Sequence, residues 1–322
     1  MAKILTGVQS TGTPHLGNLL GAIIPSIEMA NKSSEESYFF IANLHSLTQI
    51  KDPEVLQKNT FSTAAAWLSF GLDTNKACFF KQSDVTEVTE LAWYLSCFFP
   101  YQRLTLAHSF KDKSDNLKDI NAGLFSYPML MAADILIYDA NIVPVGKDQL
   151  QHLEMTRDVA SRFNNLMGDT LVVPEPKLQE ASKYVIGTNG EKMSKSKNNT
   201  IDIFLPDNEL RKQIMRIQTK SLSVEDKKDP KECNVFKIYS LIASKEKTEE
   251  LKQRYISGGL GYGEAKEILF NEIIEKFHKQ RDLYNSYDTN KEKVEIVLKE
   301  GAKKAQKQAQ IVLKRVRSKI GF

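Results

Sequence analysis

Between residues 4 and 164, short apolar runs alternate with longer segments of helical periodicity, and this alternation constrains the fold most. The apolar runs predict buried strands at residues 4–8, 38–42, 77–80 and 142–145. The intervening segments predict helices at residues 19–30, 54–70, 85–99, 122–139 and 148–164. Strands and helices in this order predict an α/β fold, a Rossmann-like doubly wound parallel sheet.

The pattern changes near residue 200. From Asn208 onward, helical segments are separated by charged stretches and by a glycine-rich turn at residues 258–263. We therefore expect a catalytic domain at residues 1–200 and an all-helical C-terminal domain at residues 201–322. The last 22 residues carry seven lysines or arginines and no acid, with an apolar stripe at Val312, Leu313, Val316 and Ile320. A surface helix packed by that stripe is the favoured interpretation, and a contact with a phosphate backbone is the alternative.

Composition excludes several classes of protein. The chain has 322 residues, a net charge of +4 and 41% hydrophobic residues, which is typical of a globular protein of more than one domain. Three cysteines without a C-x-x-C motif argue against a disulfide framework and a zinc finger. Neither a signal peptide nor an apolar run long enough for a membrane span is present, so we expect a cytoplasmic protein.

The segment from Gln9 to Asn18 follows the first predicted strand and opens the first predicted helix. It combines glycines, which allow close backbone approach, with several side-chain donors at a helix N-terminus, where phosphate groups bind well. A simple Gly/Thr/Pro turn is the alternative. If it binds ATP, the candidate residues are Gln9, Ser10, Thr11, His15, Gly17 and Asn18.

A lysine–serine loop, Lys192 to Ser196, lies far downstream. Displacing pyrophosphate spreads negative charge over the transition state, and lysines placed on that charge stabilise it. Lys192, Ser194 and Lys195 are therefore candidate catalytic residues. Val185, Met193 and Ser196 complete the ATP contacts expected here. A polar surface loop is the alternative.

A third candidate segment runs from Gly146 to Gln149, directly after the fourth predicted strand. Ligands of open α/β sheets lie at the carboxyl ends of the strands. Gly146 would let the backbone approach ribose, Lys147 adds charge, and Asp148 would accept from the ribose hydroxyls. An ordinary helix N-cap at Asp148 is the alternative.

Together, the first two motifs resemble the HIGH and KMSKS signatures of class I aminoacyl-tRNA synthetases. His15 and Gly17 match HIGH at its first and third positions, and Asn18 replaces the last histidine. The resemblance implies ATP as substrate with Mg²⁺, no dedicated metal site in the protein, and a loop around Lys113 that approaches the triphosphate. For Lys113, an ordinary solvated loop is the alternative.

The amino acid that such an enzyme would activate depends on the apolar stretch from Tyr127 to Leu136. Asp134 is a carboxylate within it, and burying such a charge is costly unless it has partners. Indole has one donor and no acceptor, so a single buried acceptor would suit tryptophan. Met131, Val143 and Val145 would then line the ring. Pairing of Asp134 with a nearby backbone group or lysine is the alternative.

Three segments make the resemblance more specific: LMAADIL, VPVGKDQ and QHLEMTRD are similar to bacterial tryptophanyl-tRNA synthetases. This similarity implies that Gln9, Tyr127 and Gln149 surround the amino group of the substrate. It also places Gly7 and His45 at the tryptophan site, whereas Leu5 stands where many members have an aromatic residue. For His108, His152 and His278, we expect surface or packing roles only.

The same similarity implies L-tryptophan, ATP and tRNA(Trp) as partners, a homodimer, and anticodon recognition by the helical domain. Three alternatives remain open from the sequence. The first is a tyrosyl-tRNA synthetase, the second a nucleotidylyltransferase of related fold, and the third a non-catalytic RNA-binding paralogue.

Overall fold

A computed structural model of the protein describes residues 3–33, 35–106, 120–146, 149–178 and 184–322. Its sheet has five parallel strands in the order β3-β2-β1-β4-β5. The strands are β1 (Lys3–Val8), β2 (Glu36–Ile41), β3 (Ala77–Lys81), β4 (Ile142–Val145) and β5 (Glu175–Leu178). The strand order reverses between β1 and β4, so the ligand-binding crevice of this fold is expected at their carboxyl ends.

The four strands expected from the sequence are confirmed, and a fifth was missed. β5 contains Glu175, Pro176 and Lys177, so it lacks the apolar run that identifies a buried strand. It lies at the edge of the sheet, where proline is tolerated because one side of the strand makes no ladder hydrogen bonds.

Helices connect the strands on both faces. Among the described residues they are α1 (Leu16–Asn18), α2 (Ile24–Lys32), α3 (Asn43–Ser46), α4 (Pro53–Ser69), α5 (Glu87–Phe98), α6 (Tyr101–Leu104), α7 (Ala122–Leu136) and α8 (Leu150–Met167). A π-helical segment, Leu19–Ile23, joins α1 to α2. Pro25, expected from the sequence as a possible kink, lies at the start of α2, directly after the π-helical segment and within a continuous helical stretch.

The regular structure from Asp207 to the C-terminus is helical. It comprises α9 (Asp207–Met215), α10 (Asn234–Ile242), α11 (Lys245–Ser257), α12 (Tyr262–Thr289) and α13 (Lys291–Ile320). Gly258 and Gly259, with φ of 85° and 83°, form the turn between α11 and α12. Val312, Leu313 and Val316 are buried, so the apolar stripe of the last helix is confirmed. Among the described helices, none combines the length and the apolar composition that crossing a bilayer requires.

The core consists of two clusters, one on each face of the sheet. Residues such as Tyr38 and Phe40 point to the face covered by α5, α7, α8 and the C-terminal part of α13. Phe39 and Ile41, which alternate with them, point to the face covered by α2, α4, helices α9 to α12 and the start of α13. The second cluster thus draws on both sides of residue 200. The division into domains at that residue stays a prediction.

The last helix also covers the edge strand β3. Cys78 Sγ lies 3.0 Å from the carbonyl oxygen of Gly301, and a Cβ atom on Gly301 would lie only 1.8 Å from the carbonyl oxygen of Phe79. Glycine is therefore required where the helix backbone meets the strand backbone. The helix shields an edge that would otherwise expose unpaired backbone groups.

Candidate functional site

The segment from Gln9 to Asn18 leaves the carboxyl end of β1 and opens α1. His15 is the N-cap residue: its Nδ1 accepts the backbone N–H of Asn18 at 3.2 Å, and Asn18 Oδ1 accepts the backbone N–H of His15 at 3.3 Å. This reciprocal capping holds both side chains at the helix N-terminus. Because Asn18 uses its oxygen in the cap, its amide nitrogen is the group that can donate to a ligand.

His15 is buried and its charge state follows from its surroundings. Burial, assisted by the positive charge of Lys195, lowers the pKa of His15 from 6.5 to about 4. The imidazole is therefore neutral at neutral pH. Since Nδ1 accepts a hydrogen bond, the proton resides on Nε2, which can donate to a phosphate oxygen.

The lysine loop is held in place by backbone hydrogen bonds and by the side chain of Asn199. An antiparallel bridge pairs Ile186 with Lys192, and the backbone N–H of Met193 donates to the carbonyl of Val185 at 2.9 Å. Asn199 is buried; it accepts from the backbone N–H of Ser194 at 2.8 Å and donates to the carbonyl of Lys192 at 3.1 Å. One amide side chain thus holds the loop from inside. Ser194 Oγ lies 2.7 Å from Ser196 Oγ.

The structure brings the two motifs into contact. The backbone N–H of Gly17 lies 3.3 Å from the sulfur of Met193, and the backbone N–H of Leu16 donates to the carbonyl of Ile201 at 2.8 Å. Gly12 has a φ of +130°, and a Cβ atom there would lie 2.9 Å from Lys195 Nζ. The ammonium group therefore packs directly over the glycine turn.

The position of Lys195 leaves its charge partly desolvated. Burial lowers the pKa of the Lys195 ammonium, and the nearby carboxylate of Asp202 opposes that shift. Asp202 lies beside the first motif, because the preceding residue, Ile201, hydrogen-bonds to Leu16. A phosphate entering this site would meet a concentrated positive charge, a neutral imidazole donor and a helix N-terminus.

The second part of the site is a buried polar cluster around Asp134. Asp134 Oδ2 lies 2.8 Å from His45 Nε2, and Gln82 Nε2 donates to both carboxylate oxygens at 2.8 and 2.9 Å. All three residues are at least 90% buried. Burial raises the pKa of Asp134, and the donors His45 and Gln82 counteract that effect. The partners of this buried carboxylate are therefore His45 and Gln82, and not the lysine or backbone group of the alternative.

Tyr127, Met131 and Asp134 form one stripe on α7, at intervals of four and three residues. The ring of Tyr127 meets the ring of His45 edge-on, with 6.0 Å between centroids. The Tyr127 hydroxyl contacts His152 Nε2. His152 therefore belongs to this buried polar cluster. The sequence had predicted only a surface or packing role for it.

The remaining predicted residues occupy several environments. Gly7, Gln9 and Thr11 are exposed at the end of β1, and Gly146 and Gln149 are half-buried beyond β4. Val143 and Val145 are buried in the same cluster as Leu5. Lys113, Lys147 and Asp148 lie outside the described residues. The ligand contacts of all of these residues stay predictions.

Ser10 is fully buried, and its hydroxyl faces inward. Its oxygen lies 3.1 Å from Ser46 Oγ and accepts from Thr60 Oγ1 at 3.3 Å, while its backbone N–H donates to Ser46. In this conformation the hydroxyl positions the turn. A direct contact of the Ser10 side chain with ATP stays a prediction.

Sequence reasoning missed two residues that organise the site. Gln82 directly follows β3, and its place at the carboxyl end of a strand was the available signal. Asn199 follows the lysine loop, and no sequence pattern distinguishes it from neighbouring Asn198.

Comparisons with known proteins agree on one family. The family model of class I tRNA synthetases (W and Y) matches residues 1–279. A tryptophan–tRNA ligase of Campylobacter jejuni is 46% identical over 321 residues, covering 99% of this chain and 100% of the relative. One from Rhodopirellula baltica is 44% identical and covers 99% of each chain. A crystal structure of tryptophanyl-tRNA synthetase from C. jejuni, complexed with ADP and tryptophan, matches with a TM-score of 0.96 at 45% identity, covering 99% of this chain and 100% of that one.

Proposed function

The chain belongs to the class I tRNA synthetases for tryptophan and tyrosine, and from this premise we propose that it is a tryptophan–tRNA ligase. The observation that carries this proposal is the buried carboxylate of Asp134, which is oriented by two donors within an apolar cluster. It accepts the indole N–H of tryptophan. Met131, Val143 and Val145 contact the ring, and Gly7 leaves room at the end of β1.

A single buried acceptor in an apolar site fits tryptophan better than tyrosine. A phenol hydroxyl both donates and accepts, whereas the indole nitrogen only donates. A site built around an acceptor rejects analogues that lack the N–H, because the carboxylate would then be left buried with an unused lone pair. A phenol hydroxyl could also donate to Asp134, but its oxygen would then need a donor of its own, and His45 and Gln82 already donate to Asp134. The tyrosyl-tRNA synthetase alternative is for this reason not favoured. Relatives of 44–46% identity are tryptophan–tRNA ligases, in agreement with this choice.

In the first step the tryptophan carboxylate attacks the α-phosphate of ATP, the bond to the β-phosphate breaks, and pyrophosphate leaves. The chain supplies position and charge rather than a covalent nucleophile. His15 and Asn18 donate to ATP at the N-terminus of α1. Lys195 and Lys192 stabilise the negative charge on the leaving pyrophosphate, with Ser194 as a further donor. Mg²⁺ enters as part of the substrate, bound to the triphosphate.

The remaining contacts follow the family pattern. Lys113 approaches the triphosphate, and Gly146, Lys147 and Asp148 hold the ribose. Gln9, Tyr127 and Gln149 surround the amino group of tryptophan. In the second step the activated acyl group passes to the terminal ribose of tRNA(Trp). The helical domain at residues 201–322 binds the anticodon, while residues 1–200 carry the chemistry. The cytoplasmic location stays a prediction.

A homodimer is the proposed assembly. Trp93, Tyr101, Leu106 and Leu166 are 58–69% exposed, which is unusual for large apolar side chains. They lie on or beside α5, α6 and α8, which contact one another. Phe98 packs on Phe163, and Arg103 pairs with Asp158. Light scattering should give twice the mass of one chain, and a monomeric mass would overturn the assembly.

The function is tested by ATP–pyrophosphate exchange with each of the twenty amino acids in turn, followed by transfer to tRNA. We expect exchange to depend on tryptophan and to exceed that with tyrosine by several orders of magnitude. Exchange that depends on tyrosine would replace the assignment by the tyrosyl alternative. No exchange with any amino acid would favour a non-catalytic paralogue.

A further inference from the structure

We propose that Gln82 is a positioning residue for substrate selection: it orients Asp134 and keeps that carboxylate as the acceptor for the indole N–H. This inference rests on the proposed function, because it assumes that tryptophan binds at Asp134. Gln82 lies in a 3₁₀ turn directly after β3, and its side chain is 99% buried.

The orientation of the Gln82 amide follows from its neighbours. Gln82 Oε1 accepts the backbone N–H groups of Leu44 at 3.0 Å and His45 at 3.4 Å, at the start of α3. A flipped amide would place its NH₂ group against these two donors and its oxygen against a carboxylate. Both contacts would then be repulsive, so only the observed orientation satisfies the buried groups.

With its oxygen engaged, Gln82 must present its NH₂ group to Asp134. The two distances, 2.8 and 2.9 Å, show that the nitrogen contacts both carboxylate oxygens at once, which restricts rotation of the group. His45 occupies a further acceptor position on Oδ2. Among the described contacts of this carboxylate, Oδ1 therefore receives fewer donors than Oδ2. A carboxylate has about four acceptor positions, and one on Oδ1 is left for indole.

The two donors, His45 and Gln82, also influence the protonation state of Asp134 when tryptophan binds. A protonated carboxyl group could present a hydroxyl donor to the indole N–H, which would repel it. Donors aimed at the carboxylate favour the ionised form in a buried environment. Gln82 cannot lose its protons at any ordinary pH, so it remains a donor to Asp134 at every pH of the assay.

The test compares tryptophan with 3-benzothienylalanine, in which sulfur replaces the indole N–H, by ATP–pyrophosphate exchange. The variants are Gln82→Met and Gln82→Glu, with Asp134→Ala to remove the acceptor itself. Gln57→Glu makes the same chemical change on the exposed surface of α4 and serves as the matched control.

We expect Gln82→Met to reduce the preference for tryptophan over the analogue by on the order of tenfold, mainly through a higher KM for tryptophan. Its kcat with saturating tryptophan should stay within about twofold of wild type, because the contacts of Gln82 are with the start of α3 and with Asp134, and not with the residues proposed to bind ATP. An unchanged preference in a folded Gln82→Met protein would overturn the positioning role.

The Gln82→Glu variant adds a second measurement, the pH dependence of the KM for tryptophan. A purely structural role of Gln82 would not change this dependence. When the introduced carboxyl group is protonated it can still donate to Asp134, whereas two ionised carboxylates would repel each other. Lowering the pH from about 8.5 to 6 should therefore lower the KM for tryptophan in this variant relative to wild type and Gln57→Glu. The comparison with wild type is needed because other titratable groups surround the site, namely His45, Asp134, Tyr138, Lys81 and Asp84. A variant profile parallel to that of wild type would contradict the proposal.

The Asp134→Ala variant distinguishes the role of Gln82 from the role of Asp134 itself. If it loses the preference while Gln82→Met keeps it, the acceptor assignment stands and the role of Gln82 fails. If Asp134→Ala keeps the full preference, tryptophan is recognised elsewhere and the proposed function loses the observation that carries it.

Discussion

Replacing Gly301 with alanine should destabilise the protein, even though alanine favours helices. In α13 the added Cβ would lie 1.8 Å from the Phe79 carbonyl oxygen and 2.6 Å from its carbonyl carbon. The obstacle is backbone in the edge strand β3, which cannot rotate away as a side chain can. To restore an ordinary contact, the helix must move outward by about 1 Å or more.

Two opposing terms set the size of the effect. An alanine in the middle of a helix gains about 1 kcal/mol over glycine. Overpacking of a close contact costs about 1–3 kcal/mol, and a gap of about 1 Å also weakens the dispersion contacts of neighbouring side chains. Ala302, Ala305 and Ala309 lie on the same side of α13 and would share that loss. We expect a net decrease of about 1–2 kcal/mol in the free energy of unfolding.

Gly263→Ala is the matched control. Gly263 lies in the first turn of α12, and a Cβ built there would have no heavy atom within 4 Å apart from its chain neighbours and the backbone of its own helix. This variant should be neutral or more stable by up to about 1 kcal/mol. Urea unfolding followed by circular dichroism, at one protein concentration for all variants, measures the difference. If Gly301→Ala is as stable as wild type, the close approach of α13 to β3 does not limit packing and the reasoning is wrong.

Three further predictions concern the nucleotide site. Lys195→Ala should slow adenylate formation on the order of 10²–10³-fold without loss of helicity, and a near-normal rate would remove this lysine from the mechanism. Gly12→Ala should slow the same step about tenfold or more, because it strains a residue at φ +130° and displaces the ammonium group; an unchanged rate would contradict this contact. Wild type should lose stability as the pH falls from 6.5 to about 4, where the unfolded chain protonates His15 and the native state does not. His15→Gln should lose less over that interval, and equal losses would refute the lowered pKa.

Much of the site could be identified from the sequence, because its chemistry is carried by residue types in short segments. The segments around His15 and Lys195, and the acid in an apolar helix, follow from local pattern. Their partners do not. Gln82 looks like any polar residue after a strand, and Gly301 like any glycine in a helix. Each acquires its role only from a segment that is remote along the chain.

The sequence by itself determined the parallel sheet, the helical C-terminal part and the residues that bring donors and charge, because periodicity and composition act locally. The tertiary structure decided that Gly17 meets Met193, 176 residues away, and that Gln82 fills the space between α3 and Asp134. It also showed β5, which has no apolar run. These contacts depend on how the faces of the sheet are covered, and packing across long sequence separations leaves no local pattern.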